Sequence, residues 1–243
     1  MNILLTGATS KIGQLFLCEL VKNIDVEKIY CLSRSAPSAA EVSVLKDRVV
    51  VIQGDLSSEG LNLEGLGPID CVLHLAGVTH SFSEEEYFKI NTEGTRKLAE
   101  TLRRRGCRRF YYFSSQTAGP NAGAYALSKW NAEKLLLSLD WDPLVIFRPS
   151  EVVDAGGAEG IDKIIYWSKN YKICPWFLHQ PPILFFPVGV RSLVEHVIDC
   201  LFQKPKMAGV QVVRGPPISS KALALMMFHR YKSIPVPVPL GLL

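Results

Sequence analysis

The most constraining stretch of this chain lies at its start. Asn2 to Leu5 is a short apolar run, Thr6-Gly7-Ala8-Thr9-Ser10-Lys11-Ile12-Gly13 follows directly, and a helical period then places Ile12, Leu15, Phe16 and Leu20 on one face. The order is strand, glycine turn, helix. Gly7 lets the backbone turn tightly and approach a pyrophosphate, Gly13 lets the helix pack closely on the strand, and the helix N-terminus offers its free amides to phosphate charge. A glycine-rich turn alone often merely connects two elements; placed between a strand and an amphipathic helix, it is a dinucleotide-binding signature in context. Gly7, Thr9, Ser10, Lys11, Ile12 and Gly13 are therefore candidate cofactor contacts. Ser10 replaces the middle glycine of the usual pattern and puts a hydroxyl at the point of closest approach, where it could donate to phosphate.

Strand-like runs recur at Lys28 to Leu32, Arg48 to Gln53, Cys71 to Leu75, Arg109 to Phe113 and Leu144 to Phe147, separated by segments of helical period or turn composition. That alternation predicts an α/β fold with a doubly wound parallel sheet. Ser38 with Glu41, Ser83 with Glu86 and Ser192 with Glu195 match the capping-box spacing and read as helix starts. The chain has 243 residues, 48% of them hydrophobic, enough to bury a large core. No apolar run approaches the roughly 18 residues of a membrane span. The first strand begins at residue 2 with no leader pattern before it, so a cytoplasmic location is expected. Six scattered cysteines show no metal-ligand spacing and read as small buried thiols, and no metal site is expected. The net charge of +4 is modest, and the one dense basic run, Arg103-Arg104-Arg105 with Arg108-Arg109, falls at a predicted helix end, where cations complement the dipole. With no aromatics interleaved among those arginines, a nucleic-acid partner is disfavoured.

The chemistry concentrates at the carboxyl ends of the strands, where ligands of such sheets bind. Ser33-Arg34-Ser35 follows the second strand with no acidic residue to grip the ribose hydroxyls of NAD(H), and Arg34 suits a 2′-phosphate, so NADP(H) is favoured over NAD(H). After the third strand, Gly54-Asp55-Leu56 offers Asp55 to an adenine amino group, against the common alternative of an aspartate that merely starts a turn. After the fourth comes His74-Leu75-Ala76-Gly77; Leu75, Ala76 and Gly77 let a cofactor pass close to the backbone, and His74 reads as a satisfied core histidine. After the fifth comes Ser114-Ser115-Gln116, where Ser115, with Ser114 as the alternative, is placed to hold a substrate oxygen. Tyr125 and Lys129 lie four apart on one helix face with Ala132, Leu136 and Leu139, so the lysine falls on a stripe that should be buried. A fixed cation beside a phenol favours the phenolate, each pKa unit of lowering corresponding to about 1.4 kcal/mol, which suits Tyr125 to proton exchange near neutrality. Asn91 lies on an inward stripe of the helix from about Glu84 to Arg104, serving either the sheet or the site.

Taken in order across roughly the first 150 residues, the glycine turn, His74-Leu75-Ala76-Gly77, Asn91-Thr92-Glu93-Gly94-Thr95, Phe113-Ser114-Ser115, Tyr125-x-x-x-Lys129 and Arg148-Pro149 resemble the extended branch of the short-chain dehydrogenase/reductase superfamily, grouped as NAD-dependent epimerase/dehydratase proteins. The resemblance implies a Rossmann domain over residues 1–150 and a small substrate-binding lobe drawn from residues 151–243, partly interleaved with it and minimal or truncated in length. It implies Tyr125 as proton donor or acceptor, Lys129 binding the nicotinamide ribose, Ser115 orienting the reacting carbonyl or hydroxyl, Asn91, Arg148 and Pro149 among the cofactor-site residues, and hydride passing between the nicotinamide and the substrate carbon. The implied function is an NAD(P)-dependent oxidoreductase or epimerase acting on a small-molecule carbonyl or secondary alcohol, with a nucleotide sugar as one candidate. Gln116 and Thr117 stand where related dehydratases carry an Asp-Glu pair, which disfavours dehydration. A non-catalytic dinucleotide-binding sensor or scaffold is the alternative, and the intact Tyr125 and Lys129 argue against it. The aromatics Tyr166, Trp167, Tyr171, Trp176, Phe177, Phe185 and Phe186 read as lobe core, pocket wall or the surface of a homodimer.

Overall fold

The structure, a computed structural model, describes residues 1–34, 47–57, 61, 63, 65–154, 160–202 and 207–239. Ser35 and the Ser38–Glu41 capping box fall outside them. The chain divides into two units, Met1–Arg148 with Val194–Val212 and Pro149–Leu193 with Val213–Leu243.

The first unit carries a seven-stranded sheet. Its strands in chain order are β1 (Asn2–Thr6), β2 (Lys28–Ser33), β3 (Val49–Gln53), β4 (Cys71–His74), β5 (Arg109–Phe113), β6 (Leu144–Pro149) and β11 (Gly209–Val213), arranged β11-β6-β5-β4-β1-β2-β3. β1 pairs in parallel with both β2 and β4, β2 with β3, β4 with β5, and β5 with β6. Chain order therefore reverses beside β1, and a crevice opens beyond the carboxyl ends of β1 and β4. The strands are apolar on both faces because helices cover both. One face sets Leu4, Tyr30, Val72, Phe110, Tyr112 and Ile146 against Leu98, Leu102, Ala132 and Leu136 of the helices. On the other, Phe16 of α1 (Lys11–Lys22) meets Phe113 edge-on at 5.4 Å.

The single helix expected from about Glu84 is three pieces: α2 (Glu84–Tyr87), a π-helical segment Phe88–Gly94, and α3 (Thr95–Arg104). Thr95 Oγ1 donates back to the Asn91 carbonyl at 2.7 Å across that wider turn. Gly94 lets this segment pack closely on Leu56, since a Cβ there would stand 2.9 Å from Leu56 Cβ. The helix α4 (Gly123–Ser138) buries Ala126, Ser128, Lys129, Ala132, Glu133 and Leu136. Ser83 does precede α2, but its side chain makes no capping bond. Ser192 caps nothing, because the helix α6 (Val190–Phe202) starts two residues before it.

In the second unit, α5 (Gly160–Asn170) and α7 (Ser220–Tyr231) enclose a small core of Ile161, Ile164, Cys174, Leu223, Ala224 and Met227, against which Trp176 and Phe185 pack. Tyr166 and Tyr171 remain 54% and 61% exposed, so the aromatic segment is lobe core only in part. Short ribbons complete it: β7 (Val152–Val153) with β10 (Val188–Gly189), β9 (Leu184–Phe185) with β12 (Ile218–Ser219), and β8 (Ile173–Leu178) with β13 (Ile234–Pro239). The run Pro235-Val236-Pro237-Val238-Pro239 forms a strand of the last of these two-stranded sheets. Prolines occupy every second position, 235, 237 and 239, so the missing N–H groups all fall on one edge, while Ile234 N–H donates to the Lys172 carbonyl at 2.7 Å.

Candidate active site

The crevice is lined by Thr6, Gly7, Thr9, Ser10, Leu32, Ser33, Arg34, Gly54, Asp55, Leu56, Leu75, Ala76, Gly77, Val78 and Ile90. Ten of the residues singled out from the sequence thus converge there: Gly7, Thr9, Ser10, Ser33, Arg34, Asp55, Leu56, Leu75, Ala76 and Gly77. Leu32, Val78 and Ile90 escaped the sequence reading because apolar wall residues carry no motif, while Thr6 and Gly54 stood inside quoted motifs without being picked as contacts. Gly7 adopts φ +75°, and a Cβ on it would stand 2.8 Å from the Ala76 amide nitrogen. A Cβ on Gly13 would stand 2.1 Å from the Gly7 carbonyl oxygen. The two glycines let the turn, the helix and the end of β4 close on one another.

Ser10 is the N-cap of α1: its Oγ accepts from Gly13 N–H at 3.0 Å and donates to the Gly7 carbonyl at 2.8 Å. The hydroxyl expected to meet phosphate is thus used to hold the turn. The first intrahelical bond runs from Gln14 N–H to the Ser10 carbonyl, so Lys11 and Ile12 present amides with no intrahelical acceptor.

At the ends of β2 and β3, Gly54 N–H donates to the Ser33 carbonyl at 3.1 Å. Arg34 is exposed at this end of the crevice. Asp55 starts a turn by accepting from Ser57 N–H at 2.9 Å, which holds its carboxyl below the usual range, with Arg34 and Lys89 acting in the same direction. It both makes the turn and lines the crevice.

His74 is fully buried and bonded at both ring nitrogens, Nδ1 to Thr6 Oγ1 at 2.6 Å and Nε2 to Thr95 Oγ1 at 2.9 Å. Thr95 spends its proton on the Asn91 carbonyl, so Nε2 carries the ring proton and donates to Thr95; Nδ1 then accepts from Thr6, which itself accepts from Ala76 N–H at 3.1 Å. Burial, reinforced by Lys129, pushes this histidine down to about 3 and keeps it neutral. It is a satisfied core histidine.

Asn91 grips the backbone just beyond the crevice: its Oδ1 accepts from Val78 N–H at 2.8 Å and its Nδ2 donates to the Val78 carbonyl at 2.9 Å and to Ser128 Oγ at 3.0 Å. A Cβ on Gly77 would stand 2.9 Å from Asn91 Oδ1 and 3.2 Å from Lys129 Nζ, so the crevice reaches the lysine at this glycine. Lys129 is 4% exposed, donates to the Phe113 carbonyl at 2.8 Å and lies over the Tyr112 ring at 4.9 Å. Burial pushes it down to about 8, opposed by Glu133. Tyr125, one turn earlier, meets the Tyr87 ring edge-on at 5.9 Å, and Tyr87 Oη accepts from Ser81 N–H at 2.8 Å.

Ser115 shares a hydrogen bond with Thr117 Oγ1 at 2.9 Å and accepts from Thr117 N–H at 3.2 Å. Its neighbour Ser114 is buried, and Ser114 Oγ and Gln116 Oε1 have no hydrogen-bond partner among the described residues. Arg148 directs its guanidinium to Glu133, with Nε donating to Oε1 at 2.8 Å and Nη2 to Oε2 at 2.5 Å. Glu133 was invisible in the sequence, where an acidic residue on a helix reads as solvated; its position four residues after Lys129 was the available signal. Pro149 ends β6.

Elsewhere, Arg103 and Arg104 lie in the last turn of α3, Arg103 pairs with Asp140 at 3.4 Å, and Arg109 Nε donates to the Asp70 carbonyl at 3.2 Å. All six cysteines are free; five are buried as expected, while Cys18 is exposed on the outer face of α1. Among the described residues there is no cluster able to hold a metal ion, and no helix is long and apolar enough to cross a membrane.

A model of the NAD dependent epimerase/dehydratase family matches residues 3–159. The PKS-NRPS hybrid synthetase cheA of Chaetomium globosum is 28% identical over 215 residues, 71% of this chain and 4% of that protein. This chain thus spans only a small part of the first curated relatives it matches. Protein fmp52, mitochondrial, of Emericella nidulans is 28% identical over 152 residues, 61% of this chain and 65% of that protein. Among solved structures, UDP-glucuronic acid 4-epimerase from Bacillus cereus in complex with NAD has the same fold, with a TM-score of 0.81 at 19% identity over 98% of this chain and 87% of that one.

Proposed function

The chain belongs to the NAD dependent epimerase/dehydratase family, and from that membership we propose that it moves hydride at a carbonyl or secondary alcohol, with Tyr125 as the proton donor or acceptor. The observation that carries this reading is the meeting at Gly77: one residue lines the crevice and touches the space of Asn91 Oδ1 and Lys129 Nζ. The crevice suits a dinucleotide, because Gly7, Gly13 and Gly77 leave open, or keep closely packed, the places that a Cβ would fill. When bound, such a group supplies the hydride donor or acceptor.

The remaining work belongs to the chain. The amides of Lys11 and Ile12, free of intrahelical acceptors at the start of α1, would hold anionic oxygens. Lys129 spends one of its three N–H bonds on Phe113 and has two more with which to hold hydroxyls. Its charge lowers the cost of forming phenolate at Tyr125 one turn away. Ser115 steadies the reacting oxygen, with the unpartnered Ser114 at the same strand end as the alternative. Arg34 favours the 2′-phosphate of NADP(H), a departure from the Bacillus cereus neighbour, which was solved with NAD. That neighbour is a UDP-glucuronic acid 4-epimerase, which also supports a nucleotide sugar as the substrate class.

Tyr125→Phe should retain NADPH binding and lose about 10²- to 10⁴-fold in turnover over a panel of nucleotide sugars and simple carbonyls. Undiminished turnover by that variant would end the acid–base assignment. Stoichiometric consumption of NADPH marks a reductase, and turnover without net consumption marks an epimerase.

A further inference from the structure

Two buried charges on α4 lie one turn apart, and neither is explained by packing. Lys129 has no carboxylate within ion-pair distance among the described residues; it rests on a backbone carbonyl and an aromatic face. Glu133, 2% exposed, is held by both arms of Arg148. As a clamp between α4 and β6 this pair is a poor investment, since apolar side chains of similar volume usually serve as well or better.

The groups around Lys129 come from five elements. Tyr125 and Glu133 share its helix, His74 stands on β4, Tyr112 on β5, Asn91 on the π-helical segment, and Arg148 on β6 faces it through Glu133. His74 is neutral, and burial pushes the Tyr112 phenol well above its usual range, so that ring is neutral as well. Asn91 carries no charge. Glu133 is the one carboxylate in this set.

We propose that Glu133, fixed by Arg148, is the counter-charge that keeps Lys129 cationic inside the fold, and so is a positioning residue for the Tyr125–Lys129 pair. The role rests on the acid–base reading of that pair. It also gives Arg148 work that requires no contact with a cofactor: its bidentate grip stops Glu133 from swinging to solvent and sets the distance at which its charge acts on Lys129. Burial and Glu133 act on Lys129 in opposite directions, as this arrangement requires.

The test is a ¹³C NMR titration of the full chain labelled at lysine Cε and tyrosine Cζ, with Lys129→Met and Tyr125→Phe assigning the signals. In Glu133→Gln the Lys129 midpoint should fall below that of the wild type measured alongside, and the Tyr125 midpoint should rise. That variant leaves Arg148 unpaired, so Glu133→Gln/Arg148→Met, which removes the whole pair, is measured beside it and should move both midpoints in the same directions. Unmoved midpoints in a folded variant overturn the proposal, including the case in which only the melting temperature drops, because a purely structural clamp would give that result. Loss of turnover in Tyr125→Phe without a Lys129 shift in the Glu133 variants overturns this inference alone. A Lys129 shift alongside a fully active Tyr125→Phe protein overturns the proposed function alone.

Discussion

Replacing Gly13 with alanine isolates the contact on which the glycine turn depends. The residue lies in the first turn of α1 with ordinary helical φ, so propensity alone would make alanine better by up to about 1 kcal/mol. Against that, the new Cβ would stand 2.1 Å from the Gly7 carbonyl oxygen and 2.8 Å from Ala8 Cα, where real Cβ contacts essentially never fall below 3.0 Å. Both obstacles are backbone, so no side chain can rotate away. The turn must move by nearly an ångström, and overpacking of this kind costs about 1–3 kcal/mol or more. Less that propensity gain, we expect a net loss of up to about 2 kcal/mol, read as a fall of up to about 8 °C in melting temperature. NADPH binding, followed by fluorescence, should weaken as well, because the displaced carbonyl belongs to the crevice wall. Gly106→Ala is the control: φ is +85° there and nothing lies within 4 Å of the added Cβ, so only the left-handed backbone penalty of about 1–2 kcal/mol applies, with no effect on binding. If Gly13→Ala bound NADPH as tightly as Gly106→Ala, the close-packing account of the turn would be wrong.

Three further outcomes are expected. His74 has a folded value of about 3 against 6.5 unfolded, so its contribution is complete above pH 6.5 and is lost as pH falls toward 3, by about 1.4 kcal/mol per pH unit; denaturant titrations of His74→Gln should show a shallower acid slope than wild type, and equal slopes would refute the assignment. Arg34→Ala should weaken NADPH by roughly tenfold to a hundredfold, the worth of a charge-assisted contact, and NADH far less; equal losses in calorimetry would refute the 2′-phosphate reading. Ser10→Ala removes the N-cap of α1 and should cost about 0.5–2 kcal/mol by chemical denaturation, an effect absent if the hydroxyl mattered only to phosphate.

Much of the first unit could be read from the sequence because its strands are covered on both faces, which leaves continuous apolar runs such as Ile3, Leu4 and Leu5 that resist confusion with loops. β11 escaped notice because an edge strand one face deep leaves only a weak alternation over Gly209–Val213. The π-helical segment escaped because one wider turn barely disturbs a hydrophobic period that Leu98 and Leu102 resume. Ser10 was read for the ligand, whereas its spacing to Gly13 also fits a cap; a motif states which residue stands at a turn, not which of two acceptors its hydroxyl meets. The alternating prolines form a strand only in a two-stranded ribbon, which needs N–H groups on one edge and so tolerates what a central strand would not.

The polar residues that the motifs scattered along the chain form one connected chain of hydrogen bonds in the fold, and its direction explains why each must be where it is. Ala76 N–H donates to Thr6, Thr6 to His74, His74 to Thr95, and Thr95 to the Asn91 carbonyl, while the Asn91 side chain holds Val78. The path begins and ends on the segment that crosses Gly7 and Gly77, so the ends of β1 and β4 and the π-helical segment are fixed by a single proton order. Every donor in it is used once, and reversing any one bond would leave a buried nitrogen or oxygen unsatisfied, at about 1–3 kcal/mol. A neutral His74 is therefore a condition for the shape of the crevice, and the burial that keeps it neutral, together with the repulsion from Lys129, ties the geometry of the glycine turn to the charge that works on Tyr125.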